Sequence, residues 1–344
     1  MPFNAQQLSS MANAALDYFI KGQPLAQTIQ DKPLLSAMRS AQKTFSGGAG
    51  LIRRNIKADY STAMTGFEND DVLTFGNPGN IRQINFPWKE LHAGIETTLT
   101  ELKKDGISVV DSMTGARTVD HSEAEMHRIS GIWQDKLDDL REGVERSMNS
   151  IFWRDGTQDS KAPPGVLAFI SDTPTTGIIA GIDRAQSAWW RNRASLNINA
   201  ATPANQTLTT TLRREVRQLR RYGGKPNKCL CGSAFLEALE AEVHNKGVYT
   251  QTGFAGRRDI SMGAIVLQGV GEFEYDPTLD DLGRSKHAYI MDTTKLYPMV
   301  MDGEDMKKHV PARPHDQLVI YQGVTWTGAM VCTQMNAHGV YSIA

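Results

Sequence analysis

Several things are scarce in this 344-residue chain, and each scarcity excludes something. There are only three cysteines, Cys229, Cys231 and Cys332, an odd and small number that argues against a disulfide framework and fits a protein made in a reducing cytosol. Long apolar runs are missing too. Gly165–Ile170 and Ala264–Leu267 are far too short to cross a bilayer, so no membrane partner is expected. The first residues, Met1 to Gln7, have neither a basic start nor an apolar stretch, so no secretory signal is expected. Neither sign of charge dominates: 37 Lys plus Arg stand against 38 Asp plus Glu, and the weak net field does not indicate a general nucleic-acid-binding surface.

Catalytic signatures are equally sparse. Gly224-Lys225 is followed by Pro226 rather than Ser or Thr, so it is not a phosphate-binding loop. Gly269-Val270-Gly271 is not completed into a dinucleotide fingerprint, and no nucleophile elbow is present. Asp120-His121-Ser122 contains the residue types of a triad, but neighbours at a helix start cannot face one another, and a capping role fits better. The eight histidines are scattered. Cys229 and Cys231, one residue apart, are read as pointing to opposite faces of a strand, which is poor zinc geometry, and as small buried hydrophobes. No catalytic residue, cofactor or metal is expected, and the chain reads as a non-enzyme.

Hydrophobic residues make up 40%, enough for real cores in two or three domains. Residues 1–46 read as an arm of short helices. Met11, Ala15, Tyr18 and Phe19 fall at helical spacing, and Pro33 opens a second piece from Leu34 to Lys43. Both apolar stripes are narrow and need something to lie against. After the break at Ser46–Gly50 the pattern turns extended: Asp71–Phe75, the turn Gly76–Asn80, then Ile84, Phe86 and Trp88 alternating with polar residues. This reads as a long hairpin, followed by a second alternation at Ile95, Thr97 and Leu99.

The clearest helix comes next. Asp120 and Glu123 have capping-box spacing, and apolar residues recur at steps of three or four from Met126 to Ile151 without a proline. About 30 residues at ~1.5 Å each span roughly 45 Å, long enough for a spine. Two further helices are expected, Thr209–Tyr222 stopped by Gly223-Gly224, and Ser233–Lys246, with a short buried strand Pro226–Cys231 between them. Strands follow near 264–275, 288–292, 317–321 and 328–343. The fold class is α+β.

Two strings stand out. Along the Thr209–Tyr222 helix, Arg213, Arg214, Arg217, Arg220 and Arg221 fall within about 120° of arc, while Leu208, Leu212, Val216 and Leu219 take another face. A solvated face and a docking face for an acidic neighbour both fit this row, and DNA contact fits less well because no aromatics are interleaved. The second string is Gly181–Asn192, with adjacent Trp189 and Trp190 flanked by Arg184, Arg191 and Asn192. It reads as a core and hinge element, since tryptophan seeks burial with its N–H satisfied.

The order of parts resembles the Hong Kong 97-type major capsid proteins of tailed bacteriophages. Ile178–Arg184 with Trp189–Asn192, Lys225–Ser233 followed by Phe235-Leu236, and Ala288–Asp292 followed by Leu296 are similar to strings of that family. The resemblance implies an N-terminal arm (1–50), an extended hairpin loop (51–105), a peripheral P-domain (106–184 and 311–344) and an axial A-domain (185–310). It implies a virion protein, assembled in the host bacterial cytoplasm, that forms hexameric and pentameric capsomers with copies of itself. The icosahedral shell would enclose double-stranded DNA without sequence-specific binding. A portal is an implied partner. A separate scaffolding protein is another, because the long extra N-terminal stretch of members with a fused scaffold is missing. Phe86, Trp88, Arg213, Arg217, Arg220 and Arg221 are the candidate inter-subunit contacts. Lys57, Lys89 and Asn336 match, by residue type only, the pair that some members cross-link. The competing readings are an encapsulin-like compartment shell and a cytosolic enzyme with an unrecognised site.

Overall fold

The computed structural model describes residues 30–47, 50–58, 60, 62–72, 75–76, 79–98, 100, 123–200, 206–245, 265–267, 271–309 and 319–344. The arm helix expected at Met11–Phe19 and the capping residue Asp120 lie outside them. The strands are β1 (Lys43–Phe45), β2 (Leu51–Lys57), β3 (Ile81–Pro87), β4 (Lys89–Thr98), β5 (Ile178–Ile179), β6 (Ile182–Asp183), β7 (Arg193–Ile198) and β8 (Lys228–Cys231). They continue with β9 (Ile265–Leu267), β10 (Gly271–Tyr275), β11 (His287–Met291), β12 (Leu296–Met301), β13 (Lys307–His309), β14 (Val319–Cys332) and β15 (Gly339–Ile343). The helices are Pro33–Ala41, Glu123–Trp153, Val166–Phe169, Leu208–Arg220, Ser233–Asn245 and Pro277–Asp281. The described residues divide into two compact units, those within 1–30, 90–148 and 301–327, and those within 31–89, 149–300 and 328–344.

The larger unit is built on a six-stranded sheet of order β7-β15-β11-β8-β10-β9. It is mixed: β10 runs parallel to β8 and β15 parallel to β7, while β11 pairs antiparallel with both β8 and β15. The Leu208–Arg220 and Ser233–Asn245 helices lie on it. Leu208, Leu212, Val216 and Leu219 recur at helical spacing, so their side chains form one stripe that meets Phe235, Leu239, Phe273, Ile290 and Tyr341 in a closed core. Cys229 and Cys231 both belong to this core, which corrects the expectation of opposite faces. Side chains alternate along a strand, so residues two apart share a face, and it is Leu230 that turns the other way. Both thiols are buried and free, as expected of small hydrophobes.

The Pro33–Ala41 helix is seated on the same unit. Leu34, Leu35 and Met38 are buried, and the Leu35 amide donates to Asn149 Oδ1 at 3.0 Å. Asn149 Nδ2 then donates to Thr278 Oγ1 at 2.7 Å, and Trp153 Nε1 to the buried Asp276 at 2.7 Å. The narrow stripe of this piece therefore finds its cover within its own chain. Gly165 closes the end of the long helix: its amide donates to Arg154 O at 2.8 Å, and a Cβ there would stand 2.2 Å from Phe152 O. Residues 328–332 of β14 pair antiparallel with β12, Leu296 opposite Cys332.

In the smaller unit, β4 and β13 flank the earlier part of β14, with Lys307 opposite Thr325. Leu137, Leu140 and Val324 form a small core there, with Ala93, Ile95, Val144 and Met306 packed around it. The expected break between strands at 317–321 and 328–343 is not observed: β14 is one strand of 14 residues.

Candidate assembly surfaces

The hairpin differs in its arms from the sequence expectation. β3 pairs not with 71–75 but with β2, in a ladder of seven from Leu51 opposite Pro87 to Lys57 opposite Ile81. Its far end is closed by the Ala58 amide donating to Asn80 O at 2.8 Å. Beyond that point the chain makes a long excursion with no strand among its described residues. Residues 71 and 72 belong to no strand.

The excursion carries apolar side chains in the open. Met64, Phe67, Val72 and Phe75 are 104%, 65%, 88% and 93% exposed, and Tyr60 and Ile81 at its two ends are exposed as well. Scattered surface apolars are ordinary, but this is a row of large ones on one irregular segment, and among the described residues nothing covers them. These residues escaped sequence reasoning. Their signal is apolar residues between two arms of a hairpin, but local pattern alone puts one arm at Asp71–Phe75.

The two hairpin candidates part company. Phe86 is 3% exposed, with its ring edge-on to Phe169 at 6.0 Å between centroids. Its surface is already covered within its own chain, so it has no area left for a neighbour. Trp88 follows β3, half-buried, and its indole N–H is buried with no acceptor among the described residues. A buried indole N–H ordinarily finds an acceptor.

The Leu208–Arg220 helix has a hidden device at its start. Thr207 makes no side-chain cap. Instead the buried Glu242 of the adjacent helix accepts from the Leu208 and Thr209 amides at 2.8 and 2.9 Å, and from the Thr209 hydroxyl at 2.6 Å. A carboxylate at the positive end of the helix dipole satisfies amides that have no partner inside the helix. On the outer face Arg213, Arg217, Arg220 and Arg221 are all exposed. Arg221 lies 5.4 Å from the Tyr222 ring centroid, and Arg214 lies 3.6 Å from Glu215, whose main partner is Arg193 at 2.9 Å.

The tryptophan string is core and scaffold. Trp190 is buried and donates to Ile179 O at 3.2 Å. Arg184 is also buried. Its guanidinium donates to Phe169 O and lies 3.9 Å from Met335 Sδ, and burial pulls it down to about 10, still charged at neutral pH. Arg191 donates to Arg184 O and Ala185 O, both at 2.6 Å, while Asn192 bridges to Ser171 O at 2.8 Å. Trp189 is left to line a cleft of about 1000 Å³ with Tyr60, Arg191, Tyr222 and Asn336. Among the described residues no group of three His, Cys, Asp or Glu side chains could hold a metal ion. No described helix is long and apolar enough to cross a membrane.

This architecture is shared with capsid subunits. The capsid chain of cyanophage A-1(L) matches with a TM-score of 0.66 at 14% identity, covering 93% of this chain and 94% of its own. The capsid of a native GTA particle matches at 0.56 and 13% identity, over 94% and 96% of the two chains. The capsid of Myoviridae phage XM1 matches at 0.51 and 12% identity, over 94% and 95%. No protein-family model and no curated protein matches the sequence. The fold is the Hong Kong 97-type capsid fold, carried over nearly the whole chain.

Proposed function

We propose that this chain is the major capsid protein of a tailed bacteriophage, a structural rather than catalytic subunit. Copies of it assemble into hexameric and pentameric rings, and the rings into an icosahedral head around double-stranded DNA. The observation that carries the reading is the excursion beyond β2 and β3. Its exposed Met64, Phe67, Val72 and Phe75 are explained if each subunit lays this segment on the next. Trp88 and the arginine row belong to the same contact set, and Phe86 supports it only from inside the hairpin. The fold likeness to three capsid chains supports the same reading. Residues 106–184 and 311–344 would form the P-domain and 185–310 the A-domain. A portal and a separate scaffolding protein would be the other partners. The head of the virion is where the protein would reside.

The test is particle size, by sedimentation and negative-stain microscopy, on protein produced alone and together with its genomic neighbours. Closed shells or regular rings of six and five uphold the reading, and the contents, DNA or a packaged enzyme, separate a phage head from an encapsulin-like compartment. A monodisperse monomer or dimer in both preparations would overturn it in favour of an enzyme.

A further inference from the structure

Two neighbouring helices of the larger unit carry opposite charge. On the Leu208–Arg220 helix, Arg213, Arg217 and Arg220 occupy positions i, i+4 and i+7 and are exposed. No carboxylate among the described residues pairs with them. Like charges at this spacing destabilise a helix, so the row has a standing cost to the isolated subunit. On the Ser233–Asn245 helix, Glu237 and Glu240 are exposed at i and i+3, and Asp281, exposed at the end of the Pro277–Asp281 helix, extends the negative surface. Burial first, and then the nearby Asp280 and Glu240 carboxylates, push the Cys231 thiol up to about 12. The Asp280 carboxylate accepts from the Ser233 amide at 3.0 Å, so the Pro277–Asp281 helix meets the start of the Ser233–Asn245 helix. Although the two helices pack on one sheet, no ion pair joins the arginine row to these acids within a subunit.

Building on the shell reading, we infer that the row Arg213, Arg217 and Arg220 of one copy docks on Glu237, Glu240 and Asp281 of the next copy around a ring. A ring is made of heterologous contacts, in which two different patches of the same chain meet and the rotation closes. One chain carrying a basic row and a separate unpaired acidic surface on the same compact unit has what such a contact needs. The net charge of −1 leaves no long-range repulsion to hold copies apart. Charge complementarity of this kind sets register and encounter rate more than raw affinity, because exposed pairs contribute little individually, while juxtaposed like charges oppose docking strongly.

Charge reversal tests this. One variant carries Arg213→Glu, Arg217→Glu and Arg220→Glu; a second carries Glu237→Lys, Glu240→Lys and Asp281→Lys; a third carries all six. Each three-site variant is expected to raise the threshold concentration for rings by about tenfold or more. The six-site variant is expected to restore it, because both surfaces have changed sign together. A mixture of the two three-site variants is also expected to assemble, since each junction of an alternating ring is then complementary. Alternation closes in a ring of six but not of five, so the mixture should give hexamers, sheets or tubes without closed shells. The rescues by the six-site variant and by mixing show that any loss is not mere misfolding. Three-site variants that assemble like wild type overturn the pairing, as does a six-site variant no better than either. A defect seen only when duplex DNA is present assigns the arginines to DNA and overturns it equally. Wild type that stays monomeric in the same assay removes the shell reading and the pairing together, whereas wild-type rings with unaffected variants remove the pairing alone.

Discussion

His338 shows how one side chain ties stability to pH. It is fully buried, its Nδ1 accepts from the Asp292 amide at 3.2 Å, and its Nε2 has no partner among the described residues. Burial, opposed by the Asp292 carboxylate, lowers its pKa from 6.5 to about 4. The folded state therefore resists a proton that the unfolded chain accepts. The associated stability is complete above pH 6.5 and is lost as pH falls toward 4, with a slope of up to roughly 1.4 kcal/mol per pH unit. Urea unfolding of unassembled subunits between about pH 6.5 and 5 should show this slope. His338→Asn, which keeps an acceptor for the Asp292 amide and does not titrate, should flatten it. Glu242 contributes through hydrogen bonds instead. It holds two amides and a hydroxyl at the start of the arginine helix, and Glu242→Ala should cost about 2–4 kcal/mol in the same assay, with Glu242→Gln costing less. A loss below about 0.5 kcal/mol for the alanine variant would show that water replaces the carboxylate without penalty.

At the scale of an element, the hairpin joins a packed ladder to an exposed excursion. The β2–β3 ladder buries Ile52, Ile84 and Phe86 on its own unit, while the described residues of the excursion beyond Lys57 and Ile81 are mostly exposed. Replacing Met64, Phe67, Val72 and Phe75 by serine should change subunit stability by no more than about 0.5 kcal/mol, since exposed side chains contribute little to folding. The same variant should fail to form rings or shells at concentrations where wild type assembles. Trp88→Ala should follow the same pattern, harming assembly more than folding. Normal shells from either variant would remove that residue set from the interface. The sequence made β3 readable because Ile84 and Phe86 alternate with polar neighbours. It hid β2 because Leu51–Lys57 holds Arg53, Arg54 and Asn55 in its middle and lacks a clean alternation. Pairing across more than twenty residues supplied what local pattern could not.

At the scale of the whole molecule, near-neutral charge leaves little net attraction to DNA. The 37 basic residues are balanced by 38 acidic ones. Binding of unassembled subunits to duplex DNA should be weak, indifferent to sequence, and abolished by roughly 0.2 M salt. Filter binding or fluorescence anisotropy across a salt series checks it, and salt-resistant or sequence-selective binding would show a dedicated DNA site.

The sequence by itself determined the periodic parts. The stripes of the Glu123–Trp153, Leu208–Arg220 and Ser233–Asn245 helices, the stop at Gly223, and the burial of Trp190 and the cysteines follow from spacing and residue chemistry, which are local. The order of parts and the strings within 178–236 pointed to the Hong Kong 97-type fold, and structural comparison bears that fold out. Only the tertiary structure decided which strands pair, that β14 runs unbroken, and that Phe86 is covered at home while Met64 and Phe75 are not. It alone showed that Glu242 caps a helix that begins 34 residues earlier in the chain. The physical reason is common to all of these. Burial, pairing and capping are contacts between segments far apart in sequence, and a local pattern can state what a side chain needs but not which distant segment supplies it.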